Sequence, residues 1–423
     1  MAKYLYYLLL IVLISTAWGC KDEITDTYTA NSPIYMNYET LRNSIEIKNA
    51  ENLENTGKIL YHHHFIFINE YFKGIHIIDN SNPSKPQIVK FISIPGNTDI
   101  SIDNKILYAD SFIDLVSFDI SDINNIELIN RMKNIFQYSL PPCNNDYQVS
   151  EIDKSKGVVI DWELKEVTSK AEQERYVIYS EKENNTIDEY SSGTSINATG
   201  SLSYNIGGSS SRFVISQKTL YAISYYSLNI VNITNPRNIR LIRKTNINWD
   251  IESIFPYDNK LFISSKNGMV IYDLSNKENP RYISDYWHIS SCDPIVFNRN
   301  HAYVSIHSGN LCNETNNQID IIDISKSSSL VQLKSYPMQK PLGIGINCNK
   351  LFVCDAEAGL LIFDITNILD ITNNKIAEYN SIKAYNIIPI DNIIILIDKN
   401  SIKQYDCTNP TNLKLLSSIP INN

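Results

Sequence analysis

The chain has 423 residues, 43% of them hydrophobic and 20% charged, with a formal net charge of −9 and 27 tyrosines. This is an ordinary globular composition with enough chain for a large core. The acidic balance and the lack of a basic stripe argue against nucleic acid, whose binding rests on Lys and Arg neutralising phosphates.

The first nineteen residues read as a lipoprotein signal peptide. Lys3 supplies the positive start, Leu5 to Ile14 is nearly all apolar, and Ser15 to Gly19 is mostly small. The apolar run is short for a bilayer span and sits where a signal-peptide core belongs. Gly19-Cys20 resembles a lipobox, which implies lipidation of the Cys20 thiol and a membrane partner through the lipid. Lys21-Asp22-Glu23 resembles a surface-export signal, so the expected location is the outer membrane or cell surface, lipid-anchored. Residues 20–44 read as a tether. Removing 1–19 takes away Lys3 and no carboxylate, leaving a net charge of −10.

Beyond the tether, repeats dominate. Gly74-Ile-His-Ile-Ile-Asp79 is followed by Asn80-Ser-Asn-Pro83, and Asp114-Leu-Val-Ser-Phe-Asp119 by Ile120-Ser121. Further copies end at Asn232, Asp273, Asp323, Asp364 and Asp406, with Asn replacing Asp at 232 and Lys403-Gln404 interrupting the last apolar strand. Each copy has a second strand just upstream, such as Phe65–Ile68 or Leu351–Cys354, after a short polar turn. Such turns are hairpin signals. A further strand on each side makes about four per copy. Apart from one long step, the copies recur every 40–50 residues, the period of a propeller blade. The predicted fold class is therefore all-β: a β-propeller over 45–423, with seven four-stranded blades. The Asn43 to Lys48 stretch is expected to add an outer strand that latches the ring.

The long step, from 119 to 232, places an insertion at about 137–210 between blades two and three. Gly157 to Val167 reads as a strand pair and Ala171 to Glu183 as charged. The Ser-, Gly-, Asn- and Thr-rich stretch from Tyr190 to Ser211 reads as a flexible linker on a surface loop.

Gly74 to Pro83, Pro95-Gly-Asn-Thr-Asp99, Leu107-Tyr-Ala-Asp-Ser111 and Ser291-Cys-Asp-Pro294 resemble the bacterial LVIVD-repeat lipoproteins over most of residues 45–420. The resemblance implies a propeller fold and no settled activity.

In such a blade, the turn before strand one and the turn between strands two and three lie at the same mouth. Asp99, Asp110, Asp293, His307, Asp355 and Glu357 recur there and form a candidate ligand mouth. Carboxylates ringing a channel suit a divalent cation or a polyol; Asp residues equally accept turn N–H bonds. The motif Asp, repeated once per blade before Ile/Leu-Ser/Thr, reads as a turn cap. His62-His63-His64 looks like a metal tract, but adjacent strand residues point to opposite faces, so the expectation is no metal site. Cys292 and Cys312 are expected to form a disulfide pinning the long loop of blade five, whereas Cys348 and Cys354 share one hairpin out of register. No P-loop, G-x-S-x-G or C-x-x-C motif occurs, and no cofactor is implied.

The sequence thus predicts a non-catalytic, surface-anchored binding or scaffold propeller that recruits an envelope protein or glycan through its mouth or its insertion. The rival is a hydrolase or lyase acting on a glycan or peptide at the channel mouth, using carboxylates such as Asp99 and Asp293. A third reading is a purely structural envelope protein.

Overall fold

The computed structural model describes residues 25–170, 195–196, 203–206 and 211–422, apart from 225, 248–252, 266–267, 287–293, 309–315 and 327. Cys20, Cys292, Cys312 and Asp293 lie outside the described residues, and with them the lipidation site and the Cys292–Cys312 pairing. Cys143, Cys348, Cys354 and Cys407 are free thiols.

Seven antiparallel sheets follow one another along the chain, one per repeat. In blade two the strands Ile100–Asp103, Ile106–Ser111, Asp114–Asp119 and Glu127–Met132 run in that order from axis to rim. The Asp-terminated motif is the third strand. Its first five residues are all buried in blades one to four and in blade six, because each sheet is covered on both faces by its neighbours. A strand buried on both faces reads as a continuous apolar run rather than an alternation. In all seven blades the pairing of third and fourth strands slips by one residue just past the middle of the motif, as between Ile77 and Ile78 or Ile362 and Phe363. Such a bulge bends the strand and adds twist.

The motif ends identically seven times. The side chain of Asp79 accepts the Ser81 amide at 2.9 Å, and Asp119, Asn232, Asp273, Asp323, Asp364 and Asp406 accept the amide two residues on at 2.7–3.0 Å. Six of these seven are carboxylates, and the Ser or Thr hydroxyl and amide two residues on hold each below its ordinary pKa. A depressed folded-state pKa means stability that is present above the unfolded value, near 4, and lost as pH falls through the folded one. The melting temperature, followed by circular dichroism, is therefore expected to fall as the pH is taken below about 4. A flat profile there would count against a shared capping role.

Each seam between blades has its own apolar core. Phe67, Ile75 and Ile92 of blade one pack on Ile100, Leu107 and Phe118 of blade two. The last seam joins Ile388, Ile395 and Ile402 of blade seven to Ile59, Ile66 and Ile78 of blade one. At roughly 1.5–3 kcal/mol per fully buried aliphatic side chain, the seams supply most of the driving force for ring closure. Among the described residues, no strand is shared across this closure. Instead, Gln404 and Asn80 exchange two amide hydrogen bonds, at 2.9 and 2.7 Å, and Ser417 Oγ donates to Pro83 O at 2.6 Å. The polar residue that interrupts the seventh motif is thus the clasp of the ring. Gln404→Leu is expected to cost about 1–3 kcal/mol in urea unfolding, because it strands a buried Asn80 amide. An unchanged midpoint would deny the clasp.

The tether is more structured than the sequence suggests. Thr25–Met36 is a strand and Tyr38–Asn43 a short helix, capped by the Asn37 side chain on the Thr40 amide. Thr25–Met36 pairs antiparallel with Val158–Lys170 of the insertion along its whole length, so the expected Gly157 to Val167 strand pair is one strand with a distant partner. Gln148–Val149 adds a short third strand. Leu41 and Val158 bury Phe112 beneath this sheet, with Phe72 against them, which seats the sheet on the mouth side of blades one and two. Glu46–Asn49 pairs with the outermost strand of blade one, an outer strand as expected, though within its own blade rather than across the closure.

The insertion also re-enters the ring. Ser203–Ile206 pairs with Thr56–His62, the innermost strand of its own four in blade one, and Ser195–Ile196 pairs with Ser203–Ile206. These two strands lie against the innermost strands of blades two, five, six and seven, so backbone of the insertion occupies the axis. The expected surface loop is here a structural part of the centre.

Candidate functional site: the mouth face

Of the candidate mouth residues, Asp99 and Asp110 are brought together and fully buried. Asp110 Oδ1 accepts the amides of Thr98 and Asp99 at 2.7 and 2.9 Å and the Asn97 side chain at 2.9 Å. Its Oδ2 accepts from Thr98 Oγ1 at 2.6 Å and from the Arg212 guanidinium. Asp99 Oδ1 accepts Lys58 Nζ at 2.7 Å, and its Oδ2 accepts the amides of Arg212 and Phe213 at 2.6 and 3.1 Å. Lys58 comes from the innermost strand of blade one, the two aspartates from blade two, and Phe213 opens blade three. The network therefore staples three blades where the chain returns from the insertion. Arg212 also lies over the Phe136 ring, 4.8 Å from its centre. Burial pushes the Asp99 carboxyl above its ordinary pKa despite the Lys58 charge beside it.

Asp355 is likewise fully buried. Its two oxygens accept four backbone amides, of Gln339, Lys340, Glu357 and Ala358, at 2.8–3.1 Å. It thus holds the turn between the second and third strands of blade six against the segment leading into that blade's first strand. Glu357, on the same turn, is exposed. His307 is buried at the end of the second strand of blade five, with Nδ1 3.2 Å from Ser308 O. The structure groups Asp99 with Asp110 and leaves Asp355 and Glu357 together four blades further on.

Two further ion clusters line the same face and were not legible in the sequence. Asp114 sits between Arg42 of the short helix and Arg131 of its own blade, at 3.1 and 3.2 Å, and accepts the Asn134 amide. Glu70 and His76 meet at 2.6 Å in the interior of blade one, with Lys73 on the other carboxylate oxygen at 2.7 Å. Burial raises the Glu70 pKa, but the hydrogen bonds from His76 and Lys73 outweigh it and leave the carboxyl below its usual range. The His62–His64 tract lies on the opposite face. His62 ends the innermost strand, buried, with its pKa lowered to about 4 by desolvation and by His63. His63 and His64 are exposed in the turn. Among the described residues, no three His, Cys, Asp or Glu side chains are placed to hold a metal ion, and no helix is long and apolar enough to cross a membrane.

One open concavity is built into the mouth face. It lies between blades six and seven, has a volume of about 390 Å³, and is bordered by Lys383, Lys399 and Lys403 with Asp398. The sequence marked its position through Lys403, which interrupts the last apolar strand, without indicating what surrounds it.

No family model matches the chain, and no curated protein is similar to it. Among solved structures it is similar to the periplasmic gluconolactonase PpgL of Pseudomonas aeruginosa, with 10% identity and a TM-score of 0.50 over 86% of this chain and 98% of that one. It is also similar to a protein from Lactobacillus plantarum, with 10% identity and a TM-score of 0.49 over 86% and 97% of the two chains. A third is the dihydro-heme d1 dehydrogenase NirN, with 9% identity and a TM-score of 0.48 over 89% and 66%. At 10% identity the likeness to the gluconolactonase is one of fold alone.

Proposed function

We propose that this chain is a non-catalytic binding or scaffold propeller of the LVIVD-repeat lipoprotein type. It is held on the outer membrane or cell surface by lipid on Cys20 and offers its mouth face to an envelope protein or glycan. The observation that supports this most is the state of the mouth acids. Asp99, Asp110 and Asp355 are wholly buried and fully engaged by Lys58, Arg212 and backbone amides. They build the face rather than stand ready to exchange protons with a substrate, which a general acid or base must reach directly or through one water. The strand Thr25–Met36 fits the anchoring role. It starts five residues after Cys20 and, at roughly 3.3 Å per residue, its twelve residues span about 40 Å. Paired throughout with Val158–Lys170, it would carry the propeller away from the bilayer as a stiff ribbon.

The test is made on the full-length protein in its native membrane. Palmitate labelling is expected in the wild type and not in Cys20→Ser, which should leave the membrane fraction. A stoichiometric partner is expected to co-purify with the detergent-extracted wild type. Turnover of a glycan or peptide by the purified protein, with no partner recovered, would sink the proposal in favour of an enzyme.

A further inference from the structure

The cleft between blades six and seven has a specific origin. Gly343 and Gly345 lie on the innermost strand of blade six, Pro341–Asn347. A Cβ on Gly343 would stand 2.4 Å from Tyr385 O, and one on Gly345 would stand 2.6 Å from Pro389 Cδ. The two glycines let the inner strands of blades six and seven close tightly at the axis. Toward the mouth, the Tyr379-to-Asn386 connection and the Asp398-to-Ser401 turn diverge and leave the concavity.

Its charge opposes that of the whole chain. Three lysines and one aspartate border it, in a protein of net charge −9. Lys403 stands in the third strand, at the place held by Val116, Val270 and Leu361 in blades two, four and six and by His76, Asn229 and Asp320 in blades one, three and five. Asp398 Oδ2 accepts one N–H of Lys403 at 2.6 Å, while the same carboxylate also accepts the Asn400 amide and the Ser401 hydroxyl. An ammonium has three donors, so this pairing does not exhaust Lys403. Lys383 Nζ is steadied at 2.6 Å by the backbone carbonyl of Glu357, a neutral acceptor. Ser381 and Tyr385 also line the cleft, the Tyr385 side chain packing against the core between blades seven and one.

We infer that this cleft binds one residue of an acidic glycan, its carboxylate on Lys403 and Lys383 and its hydroxyls toward Ser381 and Asn400. Lysine is a compact point charge that attracts an anion, and the volume is that of a small-ligand pocket. This rests on the reading of the mouth as a binding face and names the chemistry that face takes.

The experiment is calorimetric titration of the detergent-solubilised full chain with D-glucuronate, D-glucose and inorganic phosphate. Glucuronate is expected to bind, and glucose at least about tenfold more weakly, since one charge-assisted hydrogen bond is worth that much. Lys403→Met and Lys383→Met should each weaken glucuronate about tenfold. Asp398→Asn should tighten it, because it removes the competing anion, and a gain cannot come from misfolding. Lys244→Gln, on the outer strand of blade three, should change nothing. Equal binding of glucose, or undiminished binding by Lys403→Met, overturns the inference. Phosphate binding as tightly as glucuronate overturns the sugar assignment. If glucuronate fails to bind while a partner still co-purifies from membranes, this inference falls and the binding reading stands. If glucuronate binds and no partner is recovered, the cleft stands without partner recruitment.

Discussion

Asp99→Leu is expected to lower the unfolding free energy by about 3–5 kcal/mol, the usual cost of breaking a buried ion pair by removing one partner. The loss has two sources. Lys58, itself almost fully buried, loses its carboxylate partner, and Ser211 Oγ, at 3.1 Å, is the acceptor it retains among the described residues. The amides of Arg212 and Phe213, which Asp99 now accepts, lose their acceptor just where the chain leaves the insertion and enters blade three. Lys58→Met should cost less, because the carboxyl it leaves can protonate and still accept those amides. Without Lys58, the Asp99 pKa rises further above its unfolded value. Stability from such a group is complete below the unfolded pKa and lost as pH rises through the folded one. The gap between Lys58→Met and the wild type should therefore narrow from pH 7 toward pH 5. Urea unfolding at the two pH values measures both effects. A loss below about 1 kcal/mol for Asp99→Leu, well under the buried-pair range, or a gap that widens in acid, would show that the network does not staple the blades.

Gly74→Ala is the second large effect. Gly74 opens the motif strand of blade one after a three-residue turn, with φ +152, where side chains are rarely found. A Cβ there would lie 2.0 Å from the carbonyl oxygen of Ile92, a backbone atom that the sheet holds in place. Backbone strain of about 1–3 kcal/mol and a similar cost for forced overlap should together shift the melting temperature down by several degrees. Blade six has the same turn length and the same solution, Gly359 at φ +89 facing Tyr379 O. Blade two has a turn one residue shorter and carries Asp114 at the corresponding place, without a positive φ. Replacing Gly74 with alanine at no cost to stability would mean that the turn can re-form around a side chain.

The blades were legible because their signals are local. The motif strand, the turn before it and the Asp that caps it all lie close together in the chain, and each copy repeats them. The capping role of the motif Asp could be read from its place before Ile/Leu-Ser/Thr, and all seven copies bear it out. At the mouth, the pattern located Asp99, Asp110 and Asp355 but not their neighbours. Lys58 and Arg212 lie 41 and 113 residues from Asp99, and neither belongs to a repeated position. An aspartate that builds and one that binds look the same in a repeat; only the partners decide.

The periodic half of this protein was thus contained in its sequence: an all-β ring, the place of each motif strand, and the break between blades two and three. The aperiodic half was decided by tertiary structure. The pairing of Thr25–Met36 with Val158–Lys170, the Asn80–Gln404 clasp and the meeting of Lys383 with Lys403 all join segments of different repeats or lie outside them. The physical reason is that a blade's hydrogen bonds are satisfied within one stretch of chain and leave a periodic trace. Contacts across seams depend on which side chains the closed ring brings face to face, and no spacing in the sequence encodes that.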